Sequence, residues 1–390
     1  MNIVILLHSG VGGSGVVATE LGLTLARMGH EVHFIASAVP FRLSAASQDR
    51  VFFHQIASMA YPLFDSPLTT LSEASKIVEV VEEYGIDVIH AHYAIPHATA
   101  ALLARSMLRT PQPPAIVTTL HGTDVTLVGL DRAYLRATQW SIENSDVVTA
   151  VSHFLAATTV DDMGIRRNDI VVVNNAVDFD RFEKAACFAP RSRFAGPGEK
   201  ILMHISNFRA VKRTDDVVRV FAQVHARLPA RLVMVGEGPE RPITAALAHQ
   251  LGVADRVLFM GSFPQVETLL CVADLFLLPS AQESFGLTAL EAMASGVPVV
   301  ASTAGGLPEV VEHGRSGWLH EVGDVDAMSA SAIALLDDPI RHATFSHAAR
   351  ERARTRFDET AMVEAYLEQY RKALARARGP CRARAGPPPP

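Results

Sequence analysis

Cysteine is scarce in this chain, and an excess of basic residues is absent. Its 390 residues include three cysteines, Cys187, Cys271 and Cys381, odd in number, scattered and without metal-ligand spacing. That pattern suits a reducing cytosol and argues against a disulfide framework. Lys and Arg total 35 against 41 Asp and Glu, so no global charge points to nucleic acid. Long hydrophobic runs are missing too: none approaches the ~18 uninterrupted apolar residues of a membrane span. The apolar start MNIVILLHSG is shorter than that and lacks the basic region of a signal peptide, so it reads as a first strand. Charged residues are only 19%, too few for a disordered chain, and apolar residues at 49% are enough for sizeable cores. The length prior is about two or three domains.

What is present is a repeating alternation of short apolar runs and helical patterns. Strand-like runs fall at Asn2–Leu7, Val32–Ala36, Val88–Tyr93, Ala115–Leu120, Asp146–Val151 and Ile170–Val173, with helical spacing over Val16–Met28, Leu71–Tyr84, Pro96–Leu108 and Ala133–Asn144. The pattern restarts at Ile201–Ser206 and continues through Arg231–Val235, Arg256–Met260, Leu275–Leu278, Pro298–Ala301 and Gly317–Leu319. Such alternation predicts α/β architecture with parallel, doubly wound sheets. The Pro- and Gly-bearing stretch before residue 200 reads as a linker, giving domains 1–185 and 201–355 about a linker 186–200. A helix over 356–375 and a basic, Pro-rich tail over 376–390 follow, the tail expected to be solvated and disordered.

Candidate chemistry gathers at the predicted carboxyl ends of strands, where ligands bind in open α/β sheets. Gly10-Val11-Gly12-Gly13-Ser14-Gly15 follows the first strand and lets backbone approach a phosphate or sugar. It spells the nicotinamide-dinucleotide fingerprint, but the second strand ends Ala36-Ser37-Ala38-Val39-Pro40, without the acid that would hold a ribose. His90, His92, His97 and His121 lack the spacing of a metal site, and no metal is expected. His121 lies on a loop edge, open both to a ligand and to a structural role. Arg209 and Lys212 sit on a loop before a helix that Thr214 can cap; they can neutralise a diphosphate or form a solvated basic cluster. Glu283 and Glu291 are separated by about two helical turns, a spacing that suits sugar hydroxyls. Backbone amides at Phe285, Gly286 and Leu287 add donors beside them. Helix-terminal charge for Glu283 and a solvated face for Glu291 remain the plainer alternatives.

Taken together, Glu283-Ser284-Phe285-Gly286 with Glu291, Asn207-x-Arg209-x-x-Lys212, Gly236-Glu237-Gly238-Pro239 and Gly305-Gly306-Leu307-Pro308-Glu309 resemble the retaining family-4 glycosyltransferases. The likeness covers nearly all of residues 1–370. It implies the GT-B fold, two Rossmann-like domains facing an interdomain cleft. It also implies donor-binding roles for Gly13, Arg209, Lys212, Glu237, Glu283, Ser284, Phe285, Gly286, Leu287 and Glu291, with His121, Arg209, Lys212 and Glu283 in the catalytic set. The first half is similar to the branch of that family which opens bacillithiol biosynthesis, through Gly12–Gly22, Pro40-Phe41-Arg42-Leu43, His90–His97 and Thr118–Asp124. That likeness implies transfer of N-acetylglucosamine from UDP-GlcNAc to L-malate, with Ser14, Arg42, Tyr93, Thr119 and Asn175 binding the acceptor. At Asn174-Asn175-Ala176-Val177 the chain departs from the pattern, which has an aromatic before the asparagine. No cofactor or metal is implied, since Arg209 and Lys212 supply the charge. A cytoplasmic protein is expected, and a homo-oligomer is compatible with the sequence.

Competing readings are a family-4 transferase with another acceptor (inositol phosphate, a lipid-linked sugar or a glycan), a UDP-GlcNAc 2-epimerase, and a non-catalytic sugar-nucleotide binder. The epimerase needs carboxylates and a histidine converging on the sugar's C2, which the Glu283 and Glu291 spacing does not favour. The binder would have lost the motifs around His121, and these are intact.

Overall fold

The computed structural model describes residues 1–10, 12–40, 42–43, 49–57, 68–183 and 186–378. Phe41, Val11 of the glycine loop and residues 379–390 of the expected tail lie outside them. The chain forms two compact units, Met1–Val173 with the chain from Met362 onward, and Asn174–Ala361.

The first unit is a seven-stranded sheet of β1 (Asn2–Leu6), β2 (Glu31–Ala36), β3 (Val51–Gln55), β4 (Val88–His92), β5 (Ala115–Leu120), β6 (Val147–Ala150) and β7 (Val171–Val172). Its order is β3-β2-β1-β4-β5-β6-β7, and every pairing is parallel. Parallel strands are covered on both faces, which is why Ile3, Val4, Ile5 and Leu6 run consecutively apolar and all fully buried. Each such side chain contributes about 1.5–3 kcal/mol by leaving water. The chain winds outward from β1 to β3, then returns to place β4 on the other side of β1. That reversal opens a crevice outside the carboxyl ends of β1 and β4. The helix Gly13–Arg27 packs so closely on this sheet that a Cβ on Gly22 would lie 2.9 Å from Ile5 Cδ1. From Met362 the C-terminal helix Glu359–Arg378 belongs to this unit and buries Tyr366 and Tyr370 completely.

The second unit has six strands, β8 (Lys200–Ile205), β9 (Ala230–Val235), β10 (Val257–Gly261), β11 (Leu275–Leu278), β12 (Val299–Ser302) and β13 (Gly317–His320). Their order is β10-β9-β8-β11-β12-β13, again all parallel, with the winding reversed between β8 and β11. Leu202, Phe221, Leu232, Met234, Leu275 and Leu277 are central to its core.

Five points of the sequence reading need revision. The chain divides at Val173/Asn174 rather than near residue 185. Residues expected as a linker instead pack in the second unit: Phe188 N–H donates to Thr268 O at 2.8 Å and Arg191 to Val272 O at 2.6 Å. Strand β3 was not foreseen, because its apolar run is short and half-buried at the sheet edge; its register with β2 decides it. Thr214 is the first helical residue rather than the cap, its hydroxyl meeting Thr244 Oγ1 at 2.6 Å, while Arg213 precedes it in the left-handed region with φ 48°. Cys187 and Cys271, separated by 84 residues in sequence, form a disulfide. Spacing along the chain gave no sign of it, because the helix Glu267–Leu270 brings the second cysteine in through tertiary packing. Among the described residues, no helix is long and apolar enough to cross a membrane.

Candidate functional site

On the second unit, the loops after β8 and β11 flank the point where the winding reverses. After β8, Phe208 is buried as an anchor and Arg209 is extended and exposed, without an ion pair among the described residues. A single turn, Ala210–Lys212, then aims Lys212 across to the neighbouring loop. Its Nζ donates to Glu283 Oε1 at 2.5 Å, and Ser280 Oγ donates to the same oxygen at 3.0 Å. The backbones are tied as well, Ala281 N–H to Val211 O at 2.8 Å. A cation from one loop thus meets a carboxylate from the next, a contact the sequence reading did not foresee.

Beyond Glu283 the chain makes a turn that its residue types require. Phe285 is buried edge-on against Phe357, with ring centroids 5.6 Å apart. Gly286 has φ 100°, and a Cβ there would lie 2.5 Å from Leu307 Cδ2, so both conformation and space favour glycine. The helix Leu287–Ala294 begins one residue later, which places the donor amides at Leu287 and just beyond it, slightly later than the sequence placed them. Ser284 is half-buried on the same turn. Glu291 is only 5% exposed, so the solvated-face alternative for it is excluded. Gly306 N–H donates to Glu283 O at 2.9 Å, fastening the glycine loop after β12 to this turn. Glu237 lies after β9, exposed and 3.8 Å from Arg241. Beneath the rim, His204 donates from Nδ1 to Leu277 O at 2.8 Å. Burial lowers it to about 4, so it is neutral and its Nε2 accepts from Ser206 Oγ at 2.8 Å.

The first unit gathers its polar groups differently. Tyr93, with φ 93°, follows β4 and donates from its hydroxyl to Ser14 Oγ at 2.6 Å, beside Gly13 at the start of its helix. Burial pushes the Tyr93 phenol up to about 12. His121 packs its ring 5.1 Å from Tyr93, and its Nε2 is 2.9 Å from His92 Nδ1. Burial, helped by His97, lowers His121 to about 3; burial likewise lowers His90 to about 3. Gly13, Ser14, Tyr93 and His121 therefore share this rim. Thr119 does not face outward: it is fully buried, its hydroxyl meeting His90 Nε2 and Thr149 Oγ1, each at 2.7 Å. Arg42 donates to Glu20 Oε1 at 2.9 Å. Asn175 falls in the second unit, 6% exposed, with an Oδ1 that has no partner among the described residues.

Sequence reasoning missed Asp124 as the fastener of this rim. Its carboxylate accepts from Ala94 N–H and Gly122 N–H at 2.9 Å each and from His121 N–H at 3.2 Å. The available signal was a short acid four residues beyond the end of β5, able to accept from the amides two and three residues before it. It also missed Ser280 and the pairing of His92 with His121. Among the described residues, no group of three or more His, Cys, Asp or Glu is arranged to hold a metal ion.

Two doubly wound parallel sheets, one carrying this Lys212 and Glu283 rim, are the architecture that the resemblance to the GT-B glycosyltransferases implies. The family profile "Glycosyltransferase Family 4" matches residues 11–181, and "Glycosyl transferases group 1" matches residues 189–352. The chain is 43% identical to N-acetyl-alpha-D-glucosaminyl L-malate synthase of Bacillus anthracis over 95% of its own length and 96% of that protein's. It is 31% identical to D-inositol 3-phosphate glycosyltransferase of Thermobispora bispora, over 94% of this chain and 91% of that one. A glycosyltransferase structure from Rickettsia africae superposes with a TM-score of 0.79 at 19% identity, covering 96% and 98% of the two chains, which bears on the fold alone. The chain belongs to the family-4 glycosyltransferases.

Proposed function

We propose that this enzyme transfers N-acetylglucosamine from UDP-GlcNAc to the hydroxyl of L-malate with retention of the α configuration, the opening step of bacillithiol biosynthesis. The observation that carries the assignment is the 43% identity, over nearly the full length of both chains, to the L-malate synthase. In this reading the bond from the sugar's C1 to the phosphate oxygen breaks, and a bond from C1 to the malate oxygen forms on the same face. The malate hydroxyl proton passes to the departing phosphate oxygen, so no protein nucleophile takes part. Arg209 and Lys212 stabilise the charge that grows on the diphosphate, Arg209 by its fork of donors and Lys212 as a point charge. Glu291 takes the ribose hydroxyls and Glu283 the sugar hydroxyls, with the amides of the helix start at Leu287 beside it, the Phe285 and Gly286 turn leading into them, and Ser284 and Glu237 on neighbouring turns. His121 contacts the sugar near C1, and Gly13 lets backbone approach the phosphate. Ser14, Tyr93, Arg42 and Asn175 take the acceptor, whereas Thr119, buried and facing inward, holds His90 instead. The two cations supply the charge a metal would bring, so the reaction needs neither metal nor cofactor, and the enzyme works in the cytoplasm.

A second reading, with inositol phosphate as acceptor, has the support of the 31% identity to the inositol phosphate enzyme. Purified protein given UDP-GlcNAc should release UDP with L-malate and not with inositol phosphate or buffer. The product's anomeric proton coupling should report an α linkage. UDP release with inositol phosphate and none with malate would replace the first reading by the second.

A further inference from the structure

His92 stands behind His121 in a way the transfer reaction does not by itself require. It ends β4, is fully buried, and lies against the His90 ring with centroids 4.2 Å apart. Its Nδ1 meets His121 Nε2 at 2.9 Å, while its own Nε2 is buried with no partner among the described residues. His121 is half-buried, and its Nδ1 has no protein partner among the described residues. That nitrogen is therefore the one left to meet a ligand.

Two arrangements of protons fit the contact between these rings. Burial lowers His92 well below the usual range and lowers His121 to about 3, so each ring is neutral and carries one proton. If His121 donated from Nε2, His92 would accept at Nδ1 and carry its own proton on Nε2, leaving a buried N–H with nothing to donate to. If His92 donates from Nδ1, the unpartnered atom is a lone pair instead. Orphaned buried N–H groups are rare and costly, so the second arrangement is favoured. We propose that His92 is a positioning residue which, by donating from Nδ1 to His121 Nε2, fixes His121 as a neutral ring presenting an Nδ1–H donor at the rim. Such a donor suits an oxygen of the substrate, a sugar hydroxyl or a phosphate oxygen. The functional half of this inference rests on the reading of His121 as a contact to the donor sugar; the proton assignment does not.

Full-length protein labelled with 15N-histidine tests both halves. Two-bond 1H–15N spectra distinguish protonated from bare ring nitrogens, and the His121 signals are those lost in His121→Gln. The expected result is a protonated Nδ1 and a bare Nε2 on His121; a proton on Nε2 in the wild-type protein overturns the proposal whatever the activity. His92→Asn keeps an N–H near the place of Nδ1, whereas His92→Phe keeps the shape and no donor. With UDP-GlcNAc and L-malate, His92→Phe should lower kcat roughly tenfold or more, the size seen when a group orienting a functional histidine is removed. KM for UDP-GlcNAc should stay nearly constant, and His92→Asn should restore most of the loss. Equal losses in the two variants would mean that His92 acts by packing alone, overturning the positioning role. Full activity in His121→Gln would instead remove the sugar contact while leaving the proton assignment standing. Should either His92 variant fail to fold, the wild-type spectrum still decides.

Discussion

The rim of the first unit presents neutral rings and hydroxyls on loops that Asp124 fastens, while that of the second is assembled around an ion pair. His90 and His92 are fully buried, His121 meets His92, and Tyr93 donates to Ser14. Lys212 and Glu283 meet at 2.5 Å with side chains 20% and 11% exposed, next to an exposed Arg209. The sheets beneath share one winding plan, so the difference lies in what the loops carry. Buried imidazoles are held neutral by the cost of charging them away from water. Lys212 sits where water and a carboxylate both support its charge. A rim of neutral donors suits hydroxyl-bearing groups, and a rim that carries cations suits a diphosphate whose charge changes during reaction.

The largest expected effect falls on the charged rim. Lys212→Ala should raise the barrier to transfer by about 2–4 kcal/mol, as loss of a group stabilising developing charge does, and steady-state UDP release measures it. An unchanged kcat would take Lys212 out of the mechanism and leave Arg209 to account for the charge.

Next comes acid stability, which separates the units without reference to substrate. His90 is lowered to about 3 and His204 to about 4, both by burial, against about 6.5 unfolded. Each is neutral when folded, so its contribution is complete above about pH 6.5 and is lost as pH falls from there toward the folded value. The slope is up to about 1.4 kcal/mol per pH unit for each such group. The first unit holds His90 and the similarly lowered His92, the second His204, so the first should weaken faster between about pH 6.5 and 5. The two tryptophans, Trp140 and Trp318, fall one in each unit. Urea unfolding of Trp140→Phe and Trp318→Phe, followed by fluorescence, reads the units separately. Equal slopes would show that the buried histidines do not distinguish them.

A smaller effect is expected at the acceptor cation. Arg42→Ala should raise KM for L-malate about tenfold, near 1.4 kcal/mol, while KM for UDP-GlcNAc holds. A shift in the donor's KM instead would move Arg42 to the other substrate. Smallest of all, Glu237→Gln should change folding stability by less than about 0.5 kcal/mol, because its pair with Arg241 is about half exposed. Denaturant midpoints check this.

Much of the second rim was legible in the sequence. Apolar runs covered on both faces marked the strands, and the polar residues immediately after Ile205 and Leu278 had to lie at the carboxyl edge. Arg209, Lys212, Glu283 and Glu291 could therefore be placed by position alone. The first rim was harder because its contacts depend on register. β4 and β5 pair His92 opposite Thr119, which turns Thr119 inward and brings His121 to His92 from the next strand's end. No spacing along the chain shows that. The Cys187 and Cys271 disulfide and the edge strand β3 were hidden for the same reason, each existing only through a partner distant in sequence.

The division of labour between the rims is tested most directly by calorimetric binding of UDP to the full-length wild-type protein, Arg209→Ala and Arg42→Ala. The account predicts that Arg209→Ala weakens UDP roughly tenfold or more, about 1.4 kcal/mol at least, and that Arg42→Ala binds it as the wild type does. Unaltered binding by Arg209→Ala together with lost binding by Arg42→Ala would contradict it, since the diphosphate would then belong to the first rim.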